Sequence, residues 1–251
     1  MKHRWGIIPA AGLGTRIQPL AFSKELLPVG TRLDGTIERP RAVSEYLLDR
    51  MLMAGVDRIC FVISPTKTDI VSYFGARIGD ASICYVVQQN PHGLCDALFS
   101  ALPFIAPEDE ICIGLPDTIW FPAQGFELLP DGQFSFLLFP VDRPELFDAV
   151  LTDDRGQVQR IQVKEPNAAS HWIWGAFKLT GSHFDALHRL WIERRGSDEY
   201  LGTLVNEYIA RGEPAHAVAR GEVYVDVGTL HGYREAVRVL SEQAVAHELA
   251  S

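Results

Sequence analysis

Apolar residues along the chain follow two alternating patterns, short consecutive runs and repeats three or four positions apart. The runs, bounded by turn residues, predict buried strands, and the spaced repeats predict helices with one covered face. The predicted strands are 6–8, 58–63, 82–87, 110–117, 133–139, 158–163, 172–177 and 222–226. The predicted helices are 41–54, 66–74, one beginning near 94, 182–195, 201–211 and one from 230 to the end.

Strand and helix alternate through the first half of the chain, an order that favours parallel strands covered by helices. We therefore expect an α/β fold with a Rossmann-like mixed, mainly parallel sheet and helices on both faces. Neither an internal repeat nor a linker-like stretch interrupts the pattern, so residues 1–251 are expected to form a single domain. The polar, turn-rich segment 30–40 is expected to be a surface loop.

Small residues and glycines follow the first predicted strand, and two cations come soon after them. Gly12 and Gly14 let the backbone approach a ligand closely, and Arg16 and Lys24 stand just beyond that loop. Backbone N–H groups of such a loop form an anion nest, and fixed cations neutralise bound charge. The pattern suits a polyphosphate. It does not match the dinucleotide fingerprint Gly-x-Gly-x-x-Gly, because Ile17 stands at the third glycine.

Three polar residues come directly after predicted strands, where open α/β sheets place their ligands. Asp117 and Asp226 each end a strand, and a carboxylate beside a triphosphate is a natural ligand for Mg²⁺. Gln88 follows another strand, and an amide offers the donor and the acceptor that pair with the imide edge of uracil or thymine. Taken singly, each residue also fits an ordinary turn or helix cap.

Composition narrows the classes of partner. The chain has 251 residues, of which 47% are hydrophobic and 22% charged, as is ordinary for a globular protein with a large core. The net charge of −9 argues against a nucleic-acid-binding surface, and no apolar run is long enough to cross a membrane. A cytoplasmic protein is the resulting expectation. The four cysteines lack metal-type spacing and are expected to be reduced core residues.

Four motifs in order give the chain a specific resemblance. They are Gly12-Leu-Gly-Thr-Arg16 with Ser23-Lys-Glu-Leu-Leu-Pro-Val29, then Gln88-Gln-Asn-Pro-His-Gly-Leu94, then Leu115-Pro-Asp117, and finally Asp226-Val-Gly-Thr229. In these motifs the chain resembles the nucleoside-triphosphate transferase family, in particular sugar-1-phosphate nucleotidylyltransferases of the glucose-1-phosphate thymidylyl- and uridylyltransferase type. The resemblance spans nearly the whole chain, so it implies that the single domain is a nucleotidyltransferase domain.

The resemblance implies an enzyme that transfers a nucleoside monophosphate from a nucleoside triphosphate, UTP or dTTP being favoured, to a sugar-1-phosphate. The products would be a nucleoside-diphosphate sugar and pyrophosphate, and the cofactor would be Mg²⁺. Carried over by motif, the nucleotide-binding residues are Ala11, Gly12, Gly14, Thr15, Gln88 and Gly93. The implied catalytic residues are Arg16, Lys24 and Lys164, and the implied metal ligands are Asp117 and Asp226.

The acceptor side departs from the family pattern. The implied sugar-binding residues are Asp148, Glu165 and Gly175. Asp148 stands where the family has a glycine that touches the sugar, so we expect a pocket that differs from the glucose type. Lys164-Glu165 inverts the family order Glu-Lys, and a one-residue bulge would restore both roles because strand side chains alternate between faces. We expect Lys164 to bind the sugar phosphate.

Two other functions stay open on the sequence. A cytidylyltransferase acting on a polyol phosphate has a very similar opening motif, although its later His-Asp-Ala-Ala-Arg segment is absent here. A sugar-nucleotide-binding regulator without turnover is suggested by the departures at Asp148, Lys164-Glu165 and Thr203. The expected partners are a nucleoside triphosphate and a sugar-1-phosphate, with no nucleic acid and no membrane. The apolar strand 172–177 leaves room for a homo-oligomer.

Overall fold

The computed structural model describes the backbone of residues 2–250 and the side chains of residues 2–243. Its strands are β1 (Arg4–Pro9), β2 (Pro28–Asp34), β3 (Ile37–Ala42), β4 (Arg58–Ile63), β5 (Arg77–Ile78), β6 (Ala81–Val87), β7 (Glu110–Gly114), β8 (Thr118–Phe121), β9 (Ser135–Pro140), β10 (Asp148–Thr152), β11 (Val158–Val163), β12 (Trp172–Thr180), β13 (His216–Ala219) and β14 (Val223–Asp226). Its α-helices are α1 (Val43–Met53), α2 (Thr68–Phe74), α3 (Gly93–Phe99), α4 (Gly181–Glu193), α5 (Leu201–Ala210) and α6 (Leu230–Ala250).

A ten-stranded mixed sheet forms the centre of the fold. Along its main path the order is β11-β10-β12-β7-β1-β4-β6-β5, and β9 with β13 extends it beside β12. The neighbours β7, β1, β4 and β6 run parallel, whereas β12 pairs antiparallel with β7, β9 and β10. The predicted fold class, a Rossmann-like α/β fold with a mixed, mainly parallel sheet, is confirmed.

Alternation along the central strands supplies a hydrophobic core on each face of the sheet. On β1, Ile7 belongs to the core that α3, α4 and α5 cover, while the next residue, Ile8, belongs to the core that α1 and α2 cover. On β4, Val62 and Phe61 divide between the two cores in the same way. All four side chains are fully buried. The helices on both faces follow from this period of two, because each face of the sheet must be covered.

The segment 30–40, which we expected to be a surface loop, is instead part of a β-hairpin. Strands β2 and β3 pair antiparallel around the two-residue turn Gly35-Thr36, with Asp34 opposite Ile37, and Gly35 adopts a positive φ of 63°. A glycine at the first position of a two-residue turn supplies the positive φ that such a hairpin needs, which explains the correction. The base of the hairpin is fixed by Tyr46, whose hydroxyl donates to the Val29 carbonyl at 2.9 Å.

A smaller third core joins this hairpin to the C-terminal helix. Ile119 of β8 and Val225 of β14 pack there with Val29 of β2 and Val239 of α6. Strands β8 and β14 form a separate antiparallel pair, and the Val227 N–H donates to the Asp117 carbonyl at 2.9 Å. The end of β14 therefore lies beside the turn that follows β7, although the two are distant in sequence.

Some predicted boundaries shift in the structure. The strand predicted over 110–117 ends at Gly114, so Asp117 lies in the turn before β8. Strand β12 lies inside the sheet and its Trp174 is buried, so the core accounts for its apolar residues and they do not indicate an oligomer. The strands β5, β8, β10 and β13 have no counterpart among the predicted strands. Among the described residues, no helix combines the length and the apolarity needed to span a membrane.

Arg50 of α1 is a buried cation that ties this helix to β8. Only 3% of the residue is exposed, and its Nε donates to the Trp120 carbonyl at 3.1 Å. Arg50→Met would leave that buried carbonyl without this donor, so we expect the free energy of unfolding to fall by about 1–3 kcal/mol. Denaturant unfolding measures the loss.

The matched control for this prediction is Arg39→Met, which removes an exposed pair with Asp34. Because exposed ion pairs contribute little, this variant should change the free energy of unfolding by less than about 0.5 kcal/mol. Equal effects of the two variants would contradict the structural role given to Arg50.

Candidate active site

The carboxyl ends of four parallel strands form one edge of the sheet. The chain leaves β1 at Ala10, β4 at Ser64, β6 at Gln88 and β7 at Leu115. The Ala10 N–H still donates to the Val62 carbonyl at 2.7 Å, so the first of these exits is held in place by the neighbouring strand. Ligands of open α/β sheets bind at this edge, and it is where the predicted site residues should gather.

Two cation–carboxylate pairs meet at this edge. Lys24 Nζ lies 2.5 Å from Asp117 Oδ2, and Arg16 Nη1 lies 3.0 Å from Asp226 Oδ2. Both pairs converge on Gly228, whose N–H donates to Asp226 Oδ1 at 2.8 Å. A Cβ atom at Gly228 would lie 3.1 Å from both Arg16 Nη2 and Asp117 Oδ2. The four predicted phosphate and metal ligands therefore lie together, and we call them the charged cluster.

Burial and mutual attraction set the ionisation of Lys24 and Asp117. Burial alone opposes a charge on Asp117, but Lys24, and more weakly Arg16, hold the pKa of this carboxyl below its ordinary value. Burial also opposes a charge on Lys24, yet the surrounding carboxylates, Asp117 foremost, raise the pKa of its ammonium above the usual range. Both groups are consequently charged at neutral pH, and a bound polyanion would meet Lys24 as a full cation.

The Gly-rich loop runs beside the charged cluster. Gly14 has a positive φ of 65° and packs on Lys24, so that a Cβ would come within 2.7 Å of the lysine Cδ. Gly12 has open space around it and Thr15 is exposed, whereas Ala11 is buried where the loop begins. The loop leaves room for a ligand next to Lys24.

Gln88 has a fixed amide orientation. Its Nε2 donates to the Asp96 carboxylate, which can only accept when ionised, so the amide nitrogen lies toward Asp96. The other amide atom, Oε1, is buried and has no hydrogen-bond partner among the described residues. A buried acceptor without a donor costs about 1–3 kcal/mol, so a ligand N–H at this oxygen would be favoured.

Gly93, the other predicted base contact, begins α3 with a φ of 92°. A Cβ at this position would come within 2.7 Å of both Glu199 Cγ and the Glu199 carbonyl oxygen. The Leu94 N–H donates to that carbonyl at 3.0 Å. Glycine is therefore required here by the chain itself, because residue 199 packs directly on the start of α3.

Asp148 and Lys164 lie on the antiparallel side of the sheet. Asp148 opens β10, is half-buried, and accepts from Trp174 Nε1 at 3.4 Å. Burial raises the pKa of Asp148 above its ordinary value, although Trp174 and Lys164 favour the charged form. Lys164 is exposed and places its Nζ 4.4 Å from the centroid of the Tyr200 ring.

Glu165 and Gly175, the remaining predicted sugar ligands, have partners within the chain. Glu165 Oε1 lies 2.5 Å from Arg160 Nη2. Gly175 is buried, and a Cβ there would come within 2.5 Å of the Tyr224 ring. At Lys164 the backbone has a positive φ of 48°, so a left-handed turn stands where we expected a bulge. This turn accommodates the inverted Lys-Glu order and leaves Glu165 paired with Arg160.

Tyr224 is a site residue that motif reasoning misses. It precedes Asp226 by two positions on β14, so the two side chains share one face of the strand. Burial, reinforced by the nearby carboxylates of Asp226, Asp117 and Asp148, raises the pKa of its phenol well above the ordinary value. Its phenol is therefore influenced by carboxylates of the charged cluster and by Asp148. Strand alternation counted back from Asp226 is the signal that identifies it.

Asp117 and Asp226 have the chemistry of a site for a hard divalent cation. Such a cation prefers oxygen donors, and Mg²⁺ is usually bound by one or two carboxylates together with substrate phosphates. Within residues 2–243, no three His, Cys, Asp or Glu side chains gather as a complete metal site. The two carboxylates therefore fit a cation that substrate phosphates help to hold.

Comparison with known proteins agrees with this geometry. A model of the nucleotidyl transferase family matches residues 5–243, nearly the whole chain. The chain belongs to this family. A glucose-1-phosphate thymidylyltransferase from Mycolicibacterium smegmatis is 29% identical to it over 247 residues, which cover 92% of this chain and 80% of that protein. A UTP–glucose-1-phosphate uridylyltransferase from Mycoplasma pneumoniae is 28% identical over 276 residues, covering 94% of this chain and 91% of that protein.

A solved structure shows the same fold in a protein of low sequence identity. A UTP-bound UGPase from Acinetobacter baumannii matches with a TM-score of 0.77 at 20% identity, over 96% of this chain and 93% of that one. The nucleotidyl transferase fold therefore extends along nearly the whole chain, and the charged cluster lies at the carboxyl edge of its central sheet.

Asp148 gives this nucleotidyltransferase a carboxylate that burial destabilises in its charged form. The pKa of Asp148 is higher in the folded chain than in the unfolded chain, so the folded chain favours the protonated carboxyl. This contribution to the stability of the fold is fully present below the unfolded pKa and is lost as the pH rises through the folded pKa. Asp148→Asn should therefore raise the Tm at about pH 7 and lose that advantage at about pH 3, below the ordinary carboxyl pKa of about 3.9. Thermal unfolding at both pH values measures the difference.

Asp154→Asn, in the exposed turn between β10 and β11, removes a carboxylate without changing a buried one and is the control. It should leave the Tm nearly unchanged at both pH values. A Tm increase for Asp148→Asn that is the same at both pH values, or a decrease at neutral pH, would contradict the assignment of a burial penalty to this residue.

Proposed function

We propose that this nucleotidyltransferase transfers a nucleoside monophosphate from UTP or dTTP to a sugar-1-phosphate, giving a nucleoside-diphosphate sugar and pyrophosphate, and that residues 1–251 act as one nucleotidyltransferase domain. The observation that carries the proposal is the charged cluster, in which Arg16, Lys24, Asp117 and Asp226 meet beside the Gly-rich loop. The relatives named for thymidylyl and uridylyl transfer to glucose-1-phosphate support the same reaction class.

The reaction requires little acid–base chemistry. An oxygen of the acceptor phosphate attacks the α-phosphorus, the new O–P bond forms, and the bond from the α-phosphorus to the bridging oxygen breaks, with its electron pair leaving on pyrophosphate. The second pKa of a phosphate monoester is about 6, so the attacking oxygen is already ionised at neutral pH. The main barrier is repulsion between two polyanions, which positioning and charge neutralisation reduce.

Three cations of the chain take separate phosphates in this proposal. Arg16, whose side chain is 63% exposed, binds the β- and γ-phosphates, and Lys24, packed against Gly14, binds the α-phosphate. Lys164 binds the phosphate of the acceptor. Without substrate, Lys24 and Arg16 are neutralised by Asp117 and Asp226, so substrate binding exchanges one set of anionic partners for another.

We propose Mg²⁺ as the cofactor, with Asp117 and Asp226 as its protein ligands. When bound, the cation supplies charge neutralisation at the reacting phosphates. The two carboxylates are held for this role by the chain, because Gly228 N–H fixes Asp226 and the Val227 N–H fixes the backbone of Asp117. A Cβ at Gly228 would fill the space between them.

The base is selected at Gln88 in this proposal. Because Asp96 fixes the amide nitrogen, Gln88 presents its carbonyl oxygen as an acceptor. Uracil and thymine carry an N3–H that can donate to it, whereas N3 of cytosine is itself an acceptor. This orientation favours UTP or dTTP over CTP, and it disfavours the alternative of a cytidylyltransferase.

The sugar-1-phosphate binds beside Asp148 and Lys164 in this proposal. Asp148 provides a carboxylate for sugar hydroxyls, and Tyr200 supports the Lys164 ammonium through a cation–π contact. Gly175 contributes by admitting the Tyr224 ring, and Glu165 would exchange its partner Arg160 for a sugar hydroxyl. The alternative of a regulator without turnover is disfavoured because the cations and both carboxylates of the charged cluster are in place.

A substrate screen tests the proposed reaction. The four common ribonucleoside triphosphates and dTTP are combined with a set of sugar-1-phosphates and Mg²⁺, and pyrophosphate release is measured. We expect release with UTP or dTTP.

Asp226→Asn should lower kcat by roughly 100–1,000-fold while the Tm is retained, because a group that holds charge near the reacting phosphates is lost. Near-normal turnover in this variant would contradict the metal role.

Asp96→Asn tests the proposed basis of base selection. An asparagine can donate as well as accept, so the Gln88 amide would no longer be held in one orientation. We expect the ratio of kcat/KM for UTP to that for CTP to fall by about tenfold, the worth of one buried hydrogen bond. Asp185→Asn, which removes an exposed helix carboxylate paired with Arg189, is the control and should leave the ratio unchanged. An unchanged ratio in Asp96→Asn would show that Asp96 does not set the preference.

A further inference from the structure

The start of α2 contacts the segment on the C-terminal side of Lys24 and the first residue of the Gly-rich loop. Lys67 Nζ donates to Glu25 Oε1 at 2.7 Å and to the Ala10 carbonyl at 2.7 Å. The side chain of Lys67 is 8% exposed and that of Glu25 is fully buried. One buried ammonium therefore joins the exit of β1 to the residue that follows Lys24.

The same turn of α2 also holds the residue before Lys24. Asp69 accepts two hydrogen bonds from Ser23, one from the hydroxyl to Oδ1 and one from the N–H to Oδ2, each at 2.6 Å. Ser23 is itself buried. Both chain neighbours of Lys24 are consequently anchored to residues two positions apart, and none of these anchors has a role in the reaction described above.

Stability does not account for the buried pair of Lys67 and Glu25. Replacing a buried ion pair by apolar side chains of similar size is often neutral or stabilising, because burial of two charges is costly. Here the cost is increased further, since Glu25 Oε2 is buried and has no hydrogen-bond partner among the described residues. A pair retained at such a cost needs another explanation, and its contact with Ala10 and its place beside Lys24 supply one.

We propose that Lys67 and Asp69 are positioning residues that set the distance between the phosphate-binding backbone after Ala10 and the ammonium of Lys24. They act through Ala10, Ser23 and Glu25 and do not themselves touch substrate. The inference rests on the proposed function, in which that backbone and Lys24 bind phosphates of one nucleotide. A displacement of about 1 Å between such groups can cost a hundredfold in rate.

The chain contains a matched control for Lys67. The side chain of Lys178, on β12, is 4% exposed. Its Nζ donates to Asp131 Oδ1 at 2.7 Å and to the Phe126 carbonyl at 3.4 Å. Asp131 also pairs with Arg4, the first residue of β1, so the Lys178 ammonium lies toward the amino end of the parallel strands, on the opposite edge from the charged cluster. Both lysines join a carboxylate and a backbone carbonyl, but only Lys67 does so beside Lys24.

The test compares Lys67→Met, Asp69→Ala, the double variant Glu25→Met with Lys67→Met, and Lys178→Met. For each protein we would measure the Tm, the Kd of UTP by calorimetry, and kcat and KM for UTP and for the sugar-1-phosphate that gives turnover. Lys67→Met and Asp69→Ala should lower kcat/KM for UTP by roughly tenfold to hundredfold. The KM for the sugar-1-phosphate should stay within about twofold, because its binding is not displaced.

The double variant separates positioning from stability. Lys67→Met alone leaves Glu25 as an uncompensated buried charge, so its Tm should fall, and the double variant should regain much of that Tm. Its kcat/KM for UTP should stay low, since Ala10 and the segment of Lys24 still lack their anchor. Recovery of turnover together with Tm, or an equal loss of turnover in Lys178→Met, would overturn the proposal.

Failure of the proposed function gives a different result. If the wild-type chain binds UTP but releases no pyrophosphate, the reaction is wrong, and the positioning role is then judged on the Kd of UTP. A Kd raised by about tenfold in Lys67→Met, corresponding to about 1.4 kcal/mol, would support it, and an unchanged Kd would overturn it. If the wild-type chain binds neither UTP nor dTTP, both the function and the positioning role are overturned; if it binds dTTP alone, the same measurements are made with dTTP.

Discussion

The structure of the site depends on mutual neutralisation between two cations and two carboxylates at one edge of the sheet. Lys24 with Asp117 and Arg16 with Asp226 form pairs that share the space around Gly228. Lys24 and Asp117 would each be costly to bury alone, and their pairing favours the charged form of both. In the proposed reaction, the same four side chains would bind the triphosphate and a divalent cation.

Much of the remaining fold serves to bring these groups together from distant parts of the chain. The parallel strands place Ala10 and Asp117 at neighbouring exits, because β1 and β7 are paired. The small third core packs β8 on β14, and a backbone bond from Val227 to Asp117 sets the second carboxylate beside the first. From the other side, Lys67 and Asp69 anchor the segment that carries Lys24. Position in space, and not nearness in sequence, defines the site.

Sequence alone predicted the features that depend on local pattern. Short consecutive apolar runs identified the strands whose residues, such as Ile7 and Ile8, divide between the two cores. It did not predict features that depend on tertiary partners. The partner of Glu165 follows from a left-handed turn at Lys164 that no composition rule indicates. Strand alternation places Tyr224 on the same face as Asp226, but the close approach of its ring to Gly175 follows only from the tertiary fold. The hairpin of 30–40 is a different case, since the glycine of its Gly35-Thr36 turn is a local signal, yet the polarity of the segment favoured a surface loop.

The central claim is that the assembled charges allow the acceptor phosphate to attack the α-phosphorus directly, without a covalent intermediate on the protein. The most direct measurement uses a nucleoside triphosphate with one sulfur at the α-phosphorus in a known configuration, and determines the configuration in the nucleoside-diphosphate sugar. A single in-line displacement predicts inversion at phosphorus. Retention would contradict the account, because it requires two displacements and therefore a nucleotidylated side chain.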